Sequence, residues 1–398
     1  MKVSIVDRLS GETVGALQRL GVDVHVCEGL TAQTAPAALA ETDILVVRST
    51  KVTAQAIEAA PRLSLIIRAG AGVDTIDLAA ASARGIYVAN CPGQNTAAVA
   101  ELAIGLLVAA DRRIVDATVA MRRGEWRKKE FGTARGLAGR TLGILGFGPI
   151  GKAVADRARG LEMKVIAWSR SLTPELAERA NVAWAPTPEA LAAASDAVSI
   201  HLALTPETRQ IVGPGFLAAM RPRAILVNTS RGALVDTAAL LEGVAAKGLR
   251  VGLDVFDDEP PGGEAPWSDV QLASQATCTP HIGASTDQAA EAIAAEVVRI
   301  VEVFLKTGHP AGMVNLCARS PATHRLVVRH YNRVGVLAAV LDGLREENIN
   351  VEEMENLVFA GANAACCSMF LDRPPSPQLL DAMRAAPHVL HVILSACA

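Results

Sequence analysis

The sequence has no surplus of either charge: 38 Lys+Arg stand against 41 Asp+Glu, for a net charge of -3. A balanced chain exerts no general pull on nucleic acid or an anionic membrane, so any anion it binds must meet a local cluster. A long apolar run is also lacking. The most apolar helical candidate, Leu102 to Ala110, is closed off by Glu101 and by Asp111-Arg112-Arg113, far short of the roughly 20 residues that cross a bilayer. At the start, Met1 to Asp7 is a short alternating strand rather than a basic region leading into an apolar stretch, so no signal peptide is expected. The seven cysteines (Cys27, Cys91, Cys278, Cys317, Cys366, Cys367, Cys397) are odd in number and scattered, with no C-x-x-C pair. They read as reduced thiols of a soluble, cytoplasmic protein, and no metal site is expected. Aromatic residues amount to only 3%, whereas hydrophobic residues reach 51%, the composition of a well-buried globular chain.

What is present is a repeated alternation of strand and helix. At 398 residues the chain exceeds the size at which one core stops growing, which predicts two or three domains. Apolar runs at Val3 to Val6, Val22 to Val26, Ile44 to Val47, Leu65 to Ile67 and Ile86 to Val88 alternate with helical periods, the pattern of a parallel sheet. One long helix is expected from Thr96 to about Met121, running between two domains. A second alternating series follows at Thr141 to Gly146, Val165 to Trp168, Ala197 to His201, Ala224 to Asn228, Val251 to Val255 and Ala276 to Thr279. Helix Thr286 to Lys306 has no strand after it and is expected to return to the first sheet. From His324 the order becomes strand, helix, strand, strand, helix, strand, the ferredoxin-like split βαβ. The fold class is therefore α/β: a discontinuous doubly wound domain (1–96 and 287–315), a second doubly wound domain (97–286) and a βαββαβ domain (324–398).

Gly146-Phe147-Gly148-Pro149-Ile150-Gly151 follows the apolar strand Thr141 to Leu145 and opens the helical period Lys152 to Arg159. Three glycines so spaced also suit a plain tight turn, but between a strand and a helix they fit a dinucleotide. Gly146 permits the turn, Gly148 lets pyrophosphate reach the backbone and Gly151 lets helix and strand pack closely. The next strand ends Trp168-Ser169-Arg170, with Ser169 where an acidic residue normally receives the ribose hydroxyls. Arg170 either pairs with a 2′-phosphate or instead points to solvent or stacks on adenine, so NAD and NADP both stay open. Thr229 and Asp254, after strands of the same series, are counted with the cofactor-binding residues.

Oxidising a secondary alcohol by hydride transfer needs a base, a group that sets its proton affinity, and a cation for the substrate carboxylate. Arg231, Glu259 and His281 each follow the carboxyl end of a predicted strand of this domain, where open α/β sheets bind ligands. Singly, each has a bland reading as a surface arginine, a loop glutamate or a capping histidine.

Together, Arg231-Gly232, Asp254-Val255-Phe256 with Glu259-Pro260, Thr279 to Thr286 and the Gly146 loop resemble the D-isomer-specific 2-hydroxyacid dehydrogenases. The resemblance runs from Met1 to about Asn315. Val47-Arg48-Ser49-Thr50, Arg68 to Asp74, Asn90 to Asn95 and Gly124 to Lys129 resemble the phosphoglycerate-oxidising branch. It implies that Arg231 binds the substrate's carboxylate and C2 oxygen, that His281 shuttles the proton, and that Glu259 hydrogen-bonds His281 and favours its charged form. It further implies that Arg48, Arg68 and the backbone at Gly72 and Val73 hold the substrate's carboxylate and phosphate. Lys128 and Lys129 are weaker phosphate candidates.

The last segment resembles the ACT domain, a regulatory module that pairs between subunits, so a homodimer or homotetramer is implied. His330, Asn332 and Asn350 match the residues that contact L-serine in serine-inhibited members, with Val334 in place of the usual proline; the alternative is a domain that only dimerises. The implied activity is oxidation of 3-phospho-D-glycerate to 3-phosphooxypyruvate, the first step of L-serine synthesis. Alternatives are a glyoxylate or hydroxypyruvate reductase, which Arg170 would suit, and a nucleotide-sensing, corepressor-like binding protein.

Overall fold

The computed structural model describes residues 1–7, 9–27, 38–260, 265–267, 270–317 and 320–397. These form two compact units, Met1–Asn315 and Leu316–Ala398.

In the first unit, β1 (Lys2–Ile5), β2 (Asp23–Val26), β3 (Ile44–Val47), β4 (Leu65–Arg68) and β5 (Tyr87–Asn90) make a parallel sheet of order 2-1-3-4-5. Its strands are apolar on both faces because helices cover both, and Ile44, Leu45, Val46 and Val47 are all at most 1% exposed. The second parallel sheet holds β6 (Thr141–Leu145), β7 (Lys164–Trp168), β8 (Ala183–Trp184), β9 (Ala197–Ile200), β10 (Ile225–Asn228), β11 (Arg250–Leu253) and β12 (Thr277–Cys278). Its order is 12-11-10-9-6-7-8, so the strand order reverses between β6 and β9. That switch point is where such a sheet opens a crevice at its carboxyl edge.

Helix Asp287–Thr307 packs on the first sheet and buries Ile293, Val297, Ile300, Val301 and Phe304 there. Five such side chains contribute about 10 kcal/mol of burial as an upper figure. Thr286 caps its start by accepting from Ala289 N at 3.2 Å, and Gly308 ends it at φ 75°.

One expectation is corrected. The single helix from Thr96 to about Met121 is two, Thr96–Arg112 and Ile114–Arg122, broken at Arg113 with φ 50°. Arg113 is fixed in this left-handed conformation by Asp116 (3.0 Å), Glu130 (3.1 Å) and a stack over Phe131 at 4.7 Å.

In the second unit β13 (His324–Tyr331), β14 (Val351–Val358), β15 (Ala364–Leu371) and β16 (Val389–Ala396) form an antiparallel sheet of order 14-15-13-16. Helices Val336–Glu346 and Pro377–Ala385 join the strands in βαββαβ order, and Leu326, Val328, Val340, Leu344, Met369 and Met383 share its core. No described helix in either unit is long and apolar enough to cross a membrane.

Candidate active site

At the switch point β6 runs into Gly146, whose φ is 103° and where a Cβ would lie 2.4 Å from the His201 carbonyl oxygen. Only glycine fits there. A Cβ on Gly151 would lie 2.2 Å from the Gly146 carbonyl oxygen and 3.0 Å from Ile144 Cγ2, so the helix sits tight against the strand that precedes it. Gly148 differs. It caps helix Pro149–Gly160 in an extended conformation without a side-chain hydrogen bond, and a Cβ there would meet nothing within 4 Å among the described residues. A helix N-terminus with unspent N–H groups facing open space fits a dinucleotide's pyrophosphate. Phe147 is buried, Pro149 exposed and Ile150 half-buried against the core. Beyond β7, Ser169 is half-buried and Arg170 exposed.

Across the switch point, Thr229 is 8% exposed and its Oγ1 has no hydrogen-bond partner among the described residues, as is true of His201 Nδ1. Both lie just past the ends of adjacent strands, β10 and β9. His201 is a candidate that the sequence did not single out. Its Nε2 lies 2.8 Å from Ser199 Oγ, and burial pulls its pKa down to about 3, keeping the ring neutral beside the Gly146 turn.

Three strand ends bring Arg231, Glu259 and His281 together. His281 Nδ1 lies 2.6 Å from Glu259 Oε2, whose other oxygen accepts from Phe256 N at 3.0 Å. Burial raises the Glu259 carboxyl, but the bonds from His281 and Phe256 and the charges of His281 and Arg231 outweigh it and hold the group below its ordinary value. The ionised carboxylate requires the proton on Nδ1 and leaves Nε2 for a substrate. His281 stands at φ 53°, a conformation costing roughly 1–3 kcal/mol. Asp254 holds it there. Its backbone oxygen accepts from His281 N at 2.7 Å; its carboxylate accepts from Thr279 Oγ1 at 2.6 Å and from Ile282 N and Gly283 N, both at 2.8 Å. Asp254 is 1% exposed, and burial raises its carboxyl above the usual value despite those bonds.

The Arg231 loop is set by Asn228, which accepts from Ser230 N at 3.0 Å and donates to the Arg231 oxygen at 2.9 Å. Gly232 lets it meet its neighbour, since a Cβ there would be 2.0 Å from the Phe256 carbonyl carbon. The first sheet supplies the opposite wall. Arg68 folds back on Gly70, where a Cβ would lie 1.6 Å from its Nη1, and its Nε is buried without a partner among the described residues. Burial lowers the Arg68 pKa, as do the charges of Arg231 and Arg48, while Asp74 opposes them. Gly72 touches Arg231: a Cβ there would be 2.0 Å from its Nη2. Val73 is half-buried in the same loop. Asp7, also unread in the sequence, accepts from the backbone N–H groups of Arg48, Ser49 and Thr50 at 2.5, 3.0 and 3.1 Å and so shapes the Arg48 loop. Its place after β1, beside the β1–β3 switch, was a usable signal. Lys128 and Lys129 are exposed on a short helix, Lys128–Phe131.

In the second unit Asn350 does not meet the other two effector candidates, His330 and Asn332. His330 is 2% exposed, with Nδ1 on the Tyr331 oxygen (2.8 Å) and Nε2 near Asn356 Oδ1 (3.3 Å). Asn332 donates to the Ala362 oxygen at 3.1 Å. Asn350 pairs with Glu352 at 2.8 Å just before Val351, which is level with Leu371 and, across β15, with His324. His330 is therefore at the other end of the sheet, roughly 20 Å away at the rise of a strand.

A hydride-transfer site is defined by these elements: a dinucleotide turn, an imidazole with its carboxylate, and a guanidinium cluster. Residues 104–283 match the family profile of the D-isomer specific 2-hydroxyacid dehydrogenase NAD binding domain. The chain is 42% identical over 283 residues to the glyoxylate reductase of Thermococcus litoralis, covering 69% of this chain and 84% of that one. It is 38% identical over 318 residues to the D-3-phosphoglycerate dehydrogenase of Methanocaldococcus jannaschii, covering 79% of this chain but spanning only 60% of that relative's length. The structure superposes with a TM-score of 0.68 and 27% identity on an NADPH-dependent glyoxylate/hydroxypyruvate reductase of Sinorhizobium meliloti solved with NADP and malonate, over 79% of this chain and 96% of that one. The chain belongs to the D-isomer-specific 2-hydroxyacid dehydrogenases. It is an enzyme of that family, and its cofactor is NAD or NADP.

Proposed function

We propose that the enzyme oxidises 3-phospho-D-glycerate to 3-phosphooxypyruvate. The observation that carries this reading is the packing of Arg68 against Gly70 and of Arg231 against Gly72, with Arg48 near enough for its charge to act on Arg68. One guanidinium suffices for a carboxylate; two more suit a substrate whose far end is a phosphate. Arg231 holds the carboxylate and C2 oxygen, and Arg48 and Arg68 hold the phosphate with the backbone at Gly72 and Val73. His281 Nε2 takes the C2 hydroxyl proton, and Glu259 stabilises the resulting imidazolium. Gly146 to Gly151, with Thr229 and Asp254, would hold the dinucleotide, which would supply the hydride acceptor for C2.

Steady-state assay of the purified chain with 3-phosphoglycerate, hydroxypyruvate and glyoxylate, each with NAD(H) and NADP(H), tests this. The expected result is a kcat/KM for 3-phosphoglycerate exceeding that of the unphosphorylated acids; absence of turnover overturns it. A glyoxylate or hydroxypyruvate reductase is the second reading, favoured by Ser169-Arg170 and by the Thermococcus relative. If Arg170 binds a 2′-phosphate, Arg170→Ala should weaken NADP by about 10-fold and leave NAD unchanged.

For the second unit, we read His330, Asn332 and Asn350 as an L-serine site completed between two copies, because one copy holds these residues at opposite ends of its sheet. Calorimetry with L-serine on the wild type and on Asn332→Ala tests it, and a wild type that gives no binding isotherm ends the proposal.

A further inference from the structure

Asp74 has no place in the chemistry above, yet it makes the contact that joins the two sheets' loops at the site. Its Oδ1 accepts from Arg231 Nη2 at 2.9 Å and its Oδ2 from Arg231 Nε at 3.2 Å, across 157 residues of sequence. Arg231 Nη1 donates to the Ser230 oxygen at 2.7 Å. A guanidinium carries five N–H groups in a fixed planar fork. These contacts occupy one on each nitrogen, so what remains is one N–H on each terminal nitrogen, the pair that matches the two oxygens of a carboxylate.

We propose that Asp74 is a positioning residue: it sets the roll of the Arg231 guanidinium so that only this remaining pair of donors faces the substrate carboxylate. Gly72 supports the arrangement, because a Cβ there would lie 2.0 Å from Arg231 Nη2 and 2.7 Å from Asp74 Oδ1, so the loop backbone backs the ion pair directly. Charge supports it too. Arg68 and Arg231 repel each other, and Asp74 is the carboxylate that offsets both. With Asp74 gone, the side edge of the fork opens to any anion, and the repulsion from Arg68 turns Arg231 away from the orientation that aims a substrate at His281.

The proposal rests on the reading of Arg231 as the carboxylate ligand, and the experiment separates the two. Asp74→Asn, Asp74→Ala, Asp74→Glu and Arg231→Gln are assayed with whichever 2-hydroxy or 2-keto acid the wild type turns over, and inhibition by inorganic sulfate is measured alongside. Asp74→Asn and Asp74→Ala should lose about 10- to 100-fold in kcat through misorientation, while sulfate inhibits more tightly than in the wild type. Asp74→Glu should recover most of the kcat. A half-exposed aspartate that merely stabilised the fold would leave the sulfate constant where it was. Either a kcat within twofold of wild type or an unmoved sulfate constant in the Asn and Ala variants overturns the assignment. If Arg231→Gln keeps its kcat/KM, the reading of Arg231 itself fails; if Arg231→Gln is inactive and the Asp74 variants are normal, only Asp74 is dismissed.

Discussion

His281→Ala is expected to lower kcat by about 10² to 10⁴ while dinucleotide affinity stays near that of the wild type. The imidazole is held from three sides that do not touch the Gly146 loop. Glu259 fixes Nδ1 at 2.6 Å, Asp254 O binds the His281 amide at 2.7 Å, and the Asp254 carboxylate ties down the residues that follow. Removing the ring deletes the proton acceptor and leaves that scaffold standing. Steady-state kinetics together with a fluorescence titration of NADH separate the two effects; an unchanged kcat would remove His281 from proton transfer. Glu259→Gln tests the same pair through pH. The Glu259 carboxyl is depressed in the fold, so what its charge contributes is present above the ordinary glutamate value and is lost as pH falls through the depressed one. Wild-type activity should therefore keep its Glu259 component through mild acid, whereas Glu259→Gln should lack that component at every pH.

The architecture was legible because apolar runs and turn residues recur locally, and every strand of the two parallel sheets except β8 lies near a run read from the sequence; β8, Ala183–Trp184, is two exposed residues and too short to make one. The break at Arg113 was not, since helical periodicity continues across it and an arginine carries no local signal for a left-handed backbone. Nor was the ion pair of Arg231 with Asp74, whose partners belong to different sheets and share no pattern. Asp254 shows an intermediate case. Its position after a strand was readable, but its spent carboxylate depends on a loop 25 to 29 residues later. In the second unit, a matched trio drawn from the sequence concealed a separation that only the strand register exposes.

The largest stability loss is expected for Arg140→Met, at about 3–5 kcal/mol. Arg140 and Asp111 are 8% and 2% exposed. They are joined at 2.9 Å, and the same arginine donates to the Gly136 oxygen at 2.9 Å and the Asp196 oxygen at 3.1 Å. The pair links the end of helix Thr96–Arg112 to the start of β6, and hence to the strand that carries the dinucleotide turn. Methionine fills the aliphatic volume but takes the paired cation from the buried Asp111 carboxylate, leaving it the Gly136 amide at 3.0 Å as its one other side-chain bond among those described and the unbonded charge of Arg250, whose guanidinium sits on the Asp111 backbone oxygen. The cost arises from leaving that carboxylate without its hydrogen-bonded cation rather than from the lost contact, so Arg140→Met with Asp111→Leu should recover most of the deficit. Thermal unfolding should show the single variant roughly 10 °C below the wild type, and the double variant closer to the wild type than to the single. A double variant as unstable as the single would mean that the helix end depends on Arg140's bonds to Gly136 and Asp196, and not on charge balance.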